Sequence, residues 1–440
     1  MSPLRPTAWI LTALFAAGAA HPAPARPNSI FILADDYGIG GVGCYGAEYK
    51  TPCLDALAAG GTRFESCFSA PLCAPSRALC MFGRYAFRTG VLDNSCGEVP
   101  TPAKEVCIAR VMKEAGYATA VAGKWRQLKY LETREDGRKW GWDEFLVWGD
   151  DEEGRKGDRY WNPDYNRNGE RLPGAEGRYG PDVLHEYAVD FIRRHREGPF
   201  FLYYPTPLVH GPILRTPDSR EGGAKGRGEG TLYADNIAYL DKLVGKLVAE
   251  LDGLRLREKT LVLFAGDNGS VGGGTLGGRA IAGGKHSMLD GGSRVPLIAS
   301  WPGTTPAGAV NRELVDFSDF FATFGELTGA KLPEGVTLDS RSFAPQLRGE
   351  KGTPREWVYV QLGKEWYARD AGWKLNQAGQ LFDMKEAPFA ETPVAADAKD
   401  EAAAAARRRL QDVLDQLDPA GAKAAPDRKG GKPKRKKKDL

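Results

Sequence analysis

The chain has only five histidines in 440 residues, and no cysteine occurs beyond Cys107. None of its seven cysteines is spaced C-x-x-C and no histidine lies among them, which removes the usual zinc-binding patterns. The apolar run Thr7 to Ala20 is too short to span a bilayer, and no later stretch qualifies, so no transmembrane segment is expected. Net charge is small as well: 60 Lys and Arg against 57 Asp and Glu leave a formal +3. Within Asp427 to Leu440 there are eight Lys or Arg and two Asp, so the rest of the chain is mildly acidic. An acidic body with a basic tail argues against a nucleic-acid partner. No internal repeat is visible.

What is present begins with a leader. Residues 1–25 combine Arg5, the apolar run and small-residue cleavage sites at Ala17-Gly18-Ala19 or Ala23-Pro24-Ala25, the pattern of a signal peptide. The expected location is therefore periplasmic or secreted, where cysteines can form local disulfides. At the other end, residues 419–440 read as a basic disordered tail. It is either simply solvated or adhesive to a polyanion.

Between these ends, apolar β-rich runs alternate with helical patterns. Strands are predicted at Asn28 to Ala34, Tyr117 to Ala122, Pro199 to Tyr204, Thr260 to Ala265 and Val295 to Ser300. Helices are predicted at Cys53 to Ala59, Lys104 to Ala115, Pro181 to Arg196 and Thr231 to Leu254. The alternation implies an α/β fold: a large mixed, mostly parallel sheet sandwiched by helices. A smaller antiparallel-sheet subdomain around Trp357, Trp366 and Trp373, closed by a helix from about Asp400 to Leu417, should follow. The expected division is 26–350 for a main domain and 351–418 for that subdomain. Gly149 to Gly180, dense in charge, Tyr and Gly, reads as a surface insertion that is either a solvated loop or a grip for a sugar.

Three features carry chemistry. Asp35-Asp36 and Asp267-Asn268 each follow a buried strand, where a doubly covered sheet delivers side chains to a ligand crevice. Either pair alone is equally a turn or cap, but together they supply oxygen ligands suited to calcium or magnesium. The third is Cys73-Ala74-Pro75-Ser76-Arg77, a C-x-P-x-R run before a helix predicted to begin near Pro75. On its own it also fits a buried cysteine beside a helix start.

The C-x-P-x-R run resembles the signature of the sulfatase family. So do further blocks in the family's order: Arg26-Pro27-Asn28, Gly123-Lys124-Trp125, His210-Gly211-Pro212, Gly266-Asp267-Asn268-Gly269, Gly283-Gly284-Lys285 and Arg294-Val295-Pro296-Leu297. The resemblance runs from about Arg26 to Gly349 and implies an alkaline phosphatase-like fold. It also implies that a maturation enzyme oxidises Cys73 to formylglycine, whose hydrate attacks sulfur in a sulfate ester, with sulfated carbohydrates as the expected substrates. By the same resemblance Asp35, Asp36, Asp267, Asn268 and residue 73 bind one Ca2+. Arg77 stabilises the hydrate, Lys124 and Lys285 hold sulfate oxygens, and His210 protonates the leaving alcohol, with His286 in reserve. Removing Cys73 by modification leaves six cysteines that could pair.

Three positions depart from the family pattern. Arg126 stands where many sulfatases have a histidine, and arginine cannot take up a proton. Cys80 and Phe82 stand where the family usually has leucine and threonine. These departures keep open an inactive member that binds sulfated glycan, and because the same cations can hold a phosphoryl group, a phosphomonoester or phosphodiester hydrolase of the same superfamily stays open as well.

Overall fold

The computed structural model describes residues 26–96, 99–125, 128, 131–148, 159–172, 176–219 and 229–421. The expected leader, Arg126, the 149–158 part of the insertion and the tail beyond 421 lie outside the described residues.

The first predicted strand, β1 (Asn28–Ala34), is buried at every position. Its side chains alternate between two cores: Phe31 and Leu33 join one, Ile30 and Ile32 the other. That two-faced burial is what a continuous apolar run, rather than an alternating one, encodes. The main sheet adds β2 (Thr62–Phe68), β3 (Ala118–Lys124), β4 (Glu144–Trp148), β5 (Tyr165–Arg167), β6 (Glu170–Leu172), β7 (Phe200–Pro205) and β8 (Thr260–Gly266). A short ribbon, β9 (Thr275–Leu276) with β10 (Arg279–Ala280), precedes β11 (Arg294–Ser300) and β12 (Ala309–Asp316). The 10-stranded order is β12-β2-β11-β8-β1-β7-β3-β4-β5-β6.

From β8 through β4 every pairing is parallel, whereas β11 runs antiparallel to both β2 and β8. The sheet is thus the mixed, mostly parallel one expected. Helices Cys73–Phe82, Ile108–Glu114 and Asp319–Thr328 cover one face, and Pro52–Ala59, Gly180–Arg194 and Glu229–Gly253 the other. On the first face Phe31 stacks on Phe320, ring centroids 4.6 Å apart. Truncating such a core aromatic costs about 3–5 kcal/mol.

The C-terminal sheet is five-stranded: β13 (Val358–Leu362), β14 (Glu365–Arg369), β15 (Trp373–Asn376), β16 (Leu381–Asp383) and β17 (Thr392–Pro393). All its pairings are antiparallel, and the helix Glu401–Leu417 packs on it, Ala403 and Leu410 sharing a core with Ala368, Leu375 and Leu381.

Several expectations need correction. The signature helix starts at Cys73 itself rather than near Pro75, which sits in the first turn where its missing N–H costs nothing. The helix expected over Lys104 to Ala115 begins only at Ile108. Part of the insertion is not loop at all: β5 and β6 form a hairpin that extends the main sheet. All seven cysteines are free thiols, so the pairing that the sequence left open does not occur. Cys67, Cys80 and Cys107 are spent on core packing instead.

Candidate active site

Strand order decides which residues meet. Because β1 lies between β7 and β8, the chain leaving each strand emerges at one edge of the sheet. Pairing continues one step beyond the strands: Asp267 N–H donates to Ala34 O at 2.9 Å and Asp35 N–H to Leu208 O at 2.9 Å. Asp36 then turns the chain at φ 58°, a left-handed conformation that Asp tolerates better than most residues. The glycine before Asp267 has a steric cause, since a Cβ on Gly266 would lie 1.8 Å from Tyr37 O. Gly123, before Lys124, is equally constrained: φ is 132° and a Cβ would lie 2.0 Å from Pro205 O.

Into this edge the 73–82 helix points its first residue. Cys73 Sγ lies 3.6 Å from Asp35 Oδ1 and 3.6 Å from Asp36 Oδ1. Asp35, Asp36, Cys73 and His210 each place one potential ligand atom within 4.8 Å of the others. Asp267 stands just behind this set, its Oδ1 accepting the Asp36 N–H at 2.9 Å. Asn268 Nδ2 donates to Asp36 Oδ1 at 3.0 Å, while its Oδ1 is buried with no hydrogen-bond partner.

Each carboxylate is matched by a cation. Lys124 Nζ lies 2.7 and 2.6 Å from the two oxygens of Asp35, and Lys285 Nζ 2.7 Å from Asp36 Oδ2. Arg77 Nη2 lies 2.7 Å from Asp267 Oδ2 and 3.5 Å from Asp35 Oδ1. His210 Nε2 is 3.7 Å from Asp36 Oδ2. All nine residues singled out from the sequence therefore converge. The reserve histidine does not: His286 is exposed, and it is its backbone N–H that meets Pro71 O, at 2.8 Å.

Burial and charge set the protonation states. Burial alone would raise Asp35, but Lys124 and Arg77 outweigh it and hold the carboxyl well below its ordinary range. At Asp267 burial wins over Arg77 and the carboxyl rises to about 6. Burial, joined by Asp267, Asp35 and Asp36 against Lys124, pushes the Cys73 thiol far up. Burial opposes charge on Lys285, yet Cys73 and Asp36 more than compensate and its pKa is raised. Burial lowers His210, with Asp35 acting in the other direction.

The donor set suits a hard cation. It is dominated by carboxylate oxygens, and the orphaned Asn268 Oδ1 is a buried acceptor that a cation would satisfy. Three carboxylates facing three cationic side chains are neutral together, so a divalent ion would turn the pocket positive and ready for an anion.

Several supporting residues carried no signal in the sequence. Tyr203 OH sits 3.5 Å from Arg77 Nη1. Asn94 Oδ1 accepts the Ala74 N–H at 3.0 Å, capping the signature helix. Ser270 Oγ accepts the Gly38 N–H at 3.0 Å, and its carbonyl accepts the Lys285 N–H at 3.0 Å. The insertion reaches the rim, with Arg159 Nη2 3.0 Å from His210 Nδ1 and Tyr160 OH donating to Pro207 O at 3.0 Å. Of the departures, Cys80 and Phe82 are core residues: Cys80 Sγ–H reaches Arg77 O at 3.3 Å and Phe82 packs on Trp140 at 5.6 Å.

Comparison with known proteins agrees with this geometry. A family model described as Sulfatase matches residues 27–330. The chain is 34% identical to human arylsulfatase A over 78% of this chain and 72% of that protein. It is 32% identical to N-acetylgalactosamine-6-sulfatase of Canis lupus familiaris, covering 81% and 73%. Among solved structures, Ps i-CgsB in complex with k-i-k-neocarrahexaose superimposes with TM-score 0.73 at 26% identity, covering 89% and 92%. The chain belongs to the sulfatase family of sulfuric ester hydrolases, and its mixed sheet is the alkaline phosphatase-like fold of that family.

Proposed function

We propose that the protein is an exported, calcium-dependent sulfatase that hydrolyses sulfate esters on carbohydrates, using a formylglycine made from Cys73 by a separate maturation enzyme. The observation that carries this reading is the position of Cys73, buried at a helix start between Asp35 and Asp36 and surrounded by Arg77, Lys124 and Lys285. As an unmodified thiol it is held protonated by its surroundings and is a poor nucleophile there. A hydrated aldehyde at this position supplies a nucleophile that can expel sulfate by collapse, and calcium supplies positive charge.

The chain's own residues do the rest. Asp35, Asp36, Asp267 and Asn268 would hold the ion together with residue 73. Arg77, fixed by Asp267, keeps a permanent positive charge beside residue 73. Lys124 and Lys285 present ammonium groups to the three peripheral sulfate oxygens, the arrangement that stabilises spreading negative charge. His210 Nε2 faces the pocket and donates a proton to the departing sugar oxygen, and the negative charge of a bound ester favours its protonated form. The carbohydrate assignment is supported by the N-acetylgalactosamine-6-sulfatase relative and by the neocarrahexaose complex. Export rests on the pattern of residues 1–25.

The test combines peptide mass spectrometry across Pro71 to Arg77 with turnover of paired aryl sulfate and aryl phosphate esters. Protein made beside a competent maturation enzyme should carry the aldehyde and prefer the sulfate. Preference for phosphate would favour the phosphoester reading, and unmodified cysteine with tight binding but no turnover the glycan-binding one.

A further inference from the structure

The loop that bears Lys285 is gripped from the other side by the C-terminal sheet. Lys285 reaches Asp36 from a stretch with a left-handed residue at Gly283, φ 81°, and another at His286, φ 70°. Within the stretch Ser287 N–H donates to Gly284 O and Gly292 N–H to Leu289 O, each at 2.9 Å. Toward the main sheet it is anchored by Lys285 N–H to Ser270 O at 3.0 Å, His286 N–H to Pro71 O at 2.8 Å, Gly269 N–H to Gly292 O at 2.8 Å and Ser69 N–H to Ser293 O at 2.8 Å.

Further anchors come from far along the chain. Lys374 on β15 donates to Met288 O at 3.1 Å and is ion-paired with Glu391. Glu391 Oε1 in turn accepts the Asp290 N–H at 3.0 Å. Arg369 on β14 pairs with the Asp290 carboxylate, and Tyr367 OH lies 2.7 Å from Ser293 Oγ. The side chains of Lys374 and Glu391 are only 4% and 2% exposed, so this is a desolvated pair. Desolvated pairs are poor sources of net stability compared with apolar packing, yet they fix geometry when every partner is satisfied. Here what they fix is the backbone three to five residues after Lys285.

We propose that Lys374 and Glu391 are positioning residues for Lys285: through Met288 O and Asp290 N–H they set the loop so that its ammonium meets the sulfate group. The proposal rests on the reading above that Lys285 binds sulfate. It makes the small subdomain part of the anion site through the loop it holds rather than through a contact of its own with Lys285.

The test is a double-mutant cycle on the full chain loaded with calcium, with inorganic sulfate as the probe and affinity measured by calorimetry. Lys285→Ala should weaken sulfate about tenfold, and Lys374→Met should weaken it by a similar factor. With both changes together the loss should be no larger than with Lys285→Ala alone. Lys374→Arg, which keeps a donor for Met288 O, should recover most of the affinity. Equal losses from Lys374→Met in both backgrounds, or no loss in either, overturn the proposal. No effect of Lys285→Ala would instead overturn the sulfate-binding reading itself. Should Lys374→Met fail to fold, the paired change Lys374→Met with Glu391→Met, which removes both contacts to the loop without stranding a buried charge, enters the same cycle with the same expected non-additivity.

Discussion

Arg77 fastens on a single oxygen of Asp267: its Nε and Nη2 lie 3.1 and 2.7 Å from Asp267 Oδ2, leaving Oδ1 to accept the Asp36 N–H. Arg77 and Asp267 are 190 residues apart in the chain. The pair joins the signature helix to the far strand edge, and so ties the helix that begins at Cys73 to the turn at Asp36.

Because both partners are buried, Arg77→Ala should strand a carboxylate in the core. Stability should fall by about 3–5 kcal/mol in denaturant titration, with loss of turnover. Arg77→Lys should recover part of the stability but not the activity, since one ammonium cannot serve Asp267 and Asp35 together.

Chelation should act on folding and chemistry alike. If calcium satisfies the orphaned Asn268 Oδ1 as proposed, melting temperature and aryl sulfate turnover should both drop with EGTA and return with added calcium. At a free ion concentration of 100 times Kd the stabilisation is about 2.7 kcal/mol. A melt unchanged by EGTA would sink the proposed calcium site.

His210 should matter in proportion to how badly the leaving group needs a proton. His210→Ala should slow hydrolysis of a sugar sulfate by about 10²–10⁴-fold but a nitrophenyl sulfate much less, as a kcat comparison across leaving groups would reveal.

A buried charge cluster remote from the site gives a pH signature. Burial, aided by Asp319 and opposed by Arg355, lifts the Asp316 carboxyl from 3.8 to about 6. Between these values the folded chain holds a proton that the unfolded chain has released. This contribution to stability is full below about pH 4 and is lost as pH rises through about 6. In urea melts at pH 4 and pH 7, wild type should lose about 1–3 kcal/mol relative to Asp316→Asn over that interval. A difference that does not change with pH would contradict the shift.

Much of the fold was legible because its strands are buried on both faces. Unbroken apolar runs such as Leu261-Val262-Leu263-Phe264 announce themselves without any partner. Strand β2, reading Thr-Arg-Phe-Glu-Ser-Cys-Phe, did not, since its charged members Arg63 and Glu65 interrupt the run and pair with each other. The β5–β6 hairpin was hidden for a related reason: its residues are mostly exposed, and only pairing with β4 makes it sheet. The number and clustering of the cysteines left pairing open, while the burial of Cys67, Cys80 and Cys107 satisfies packing without it.

The sequence by itself determined the chemical inventory: carboxylates following two strands, a cysteine opening a helix that carries an arginine, and two lysines and a histidine beside glycines. Such features are local, written in residue type and immediate neighbours. Only the tertiary structure decided which cation faces which carboxylate and that the C-terminal sheet holds the Lys285 loop. Those outcomes depend on strand order and on contacts across long stretches of chain, and no local pattern of side chains encodes which distant backbone will stand opposite.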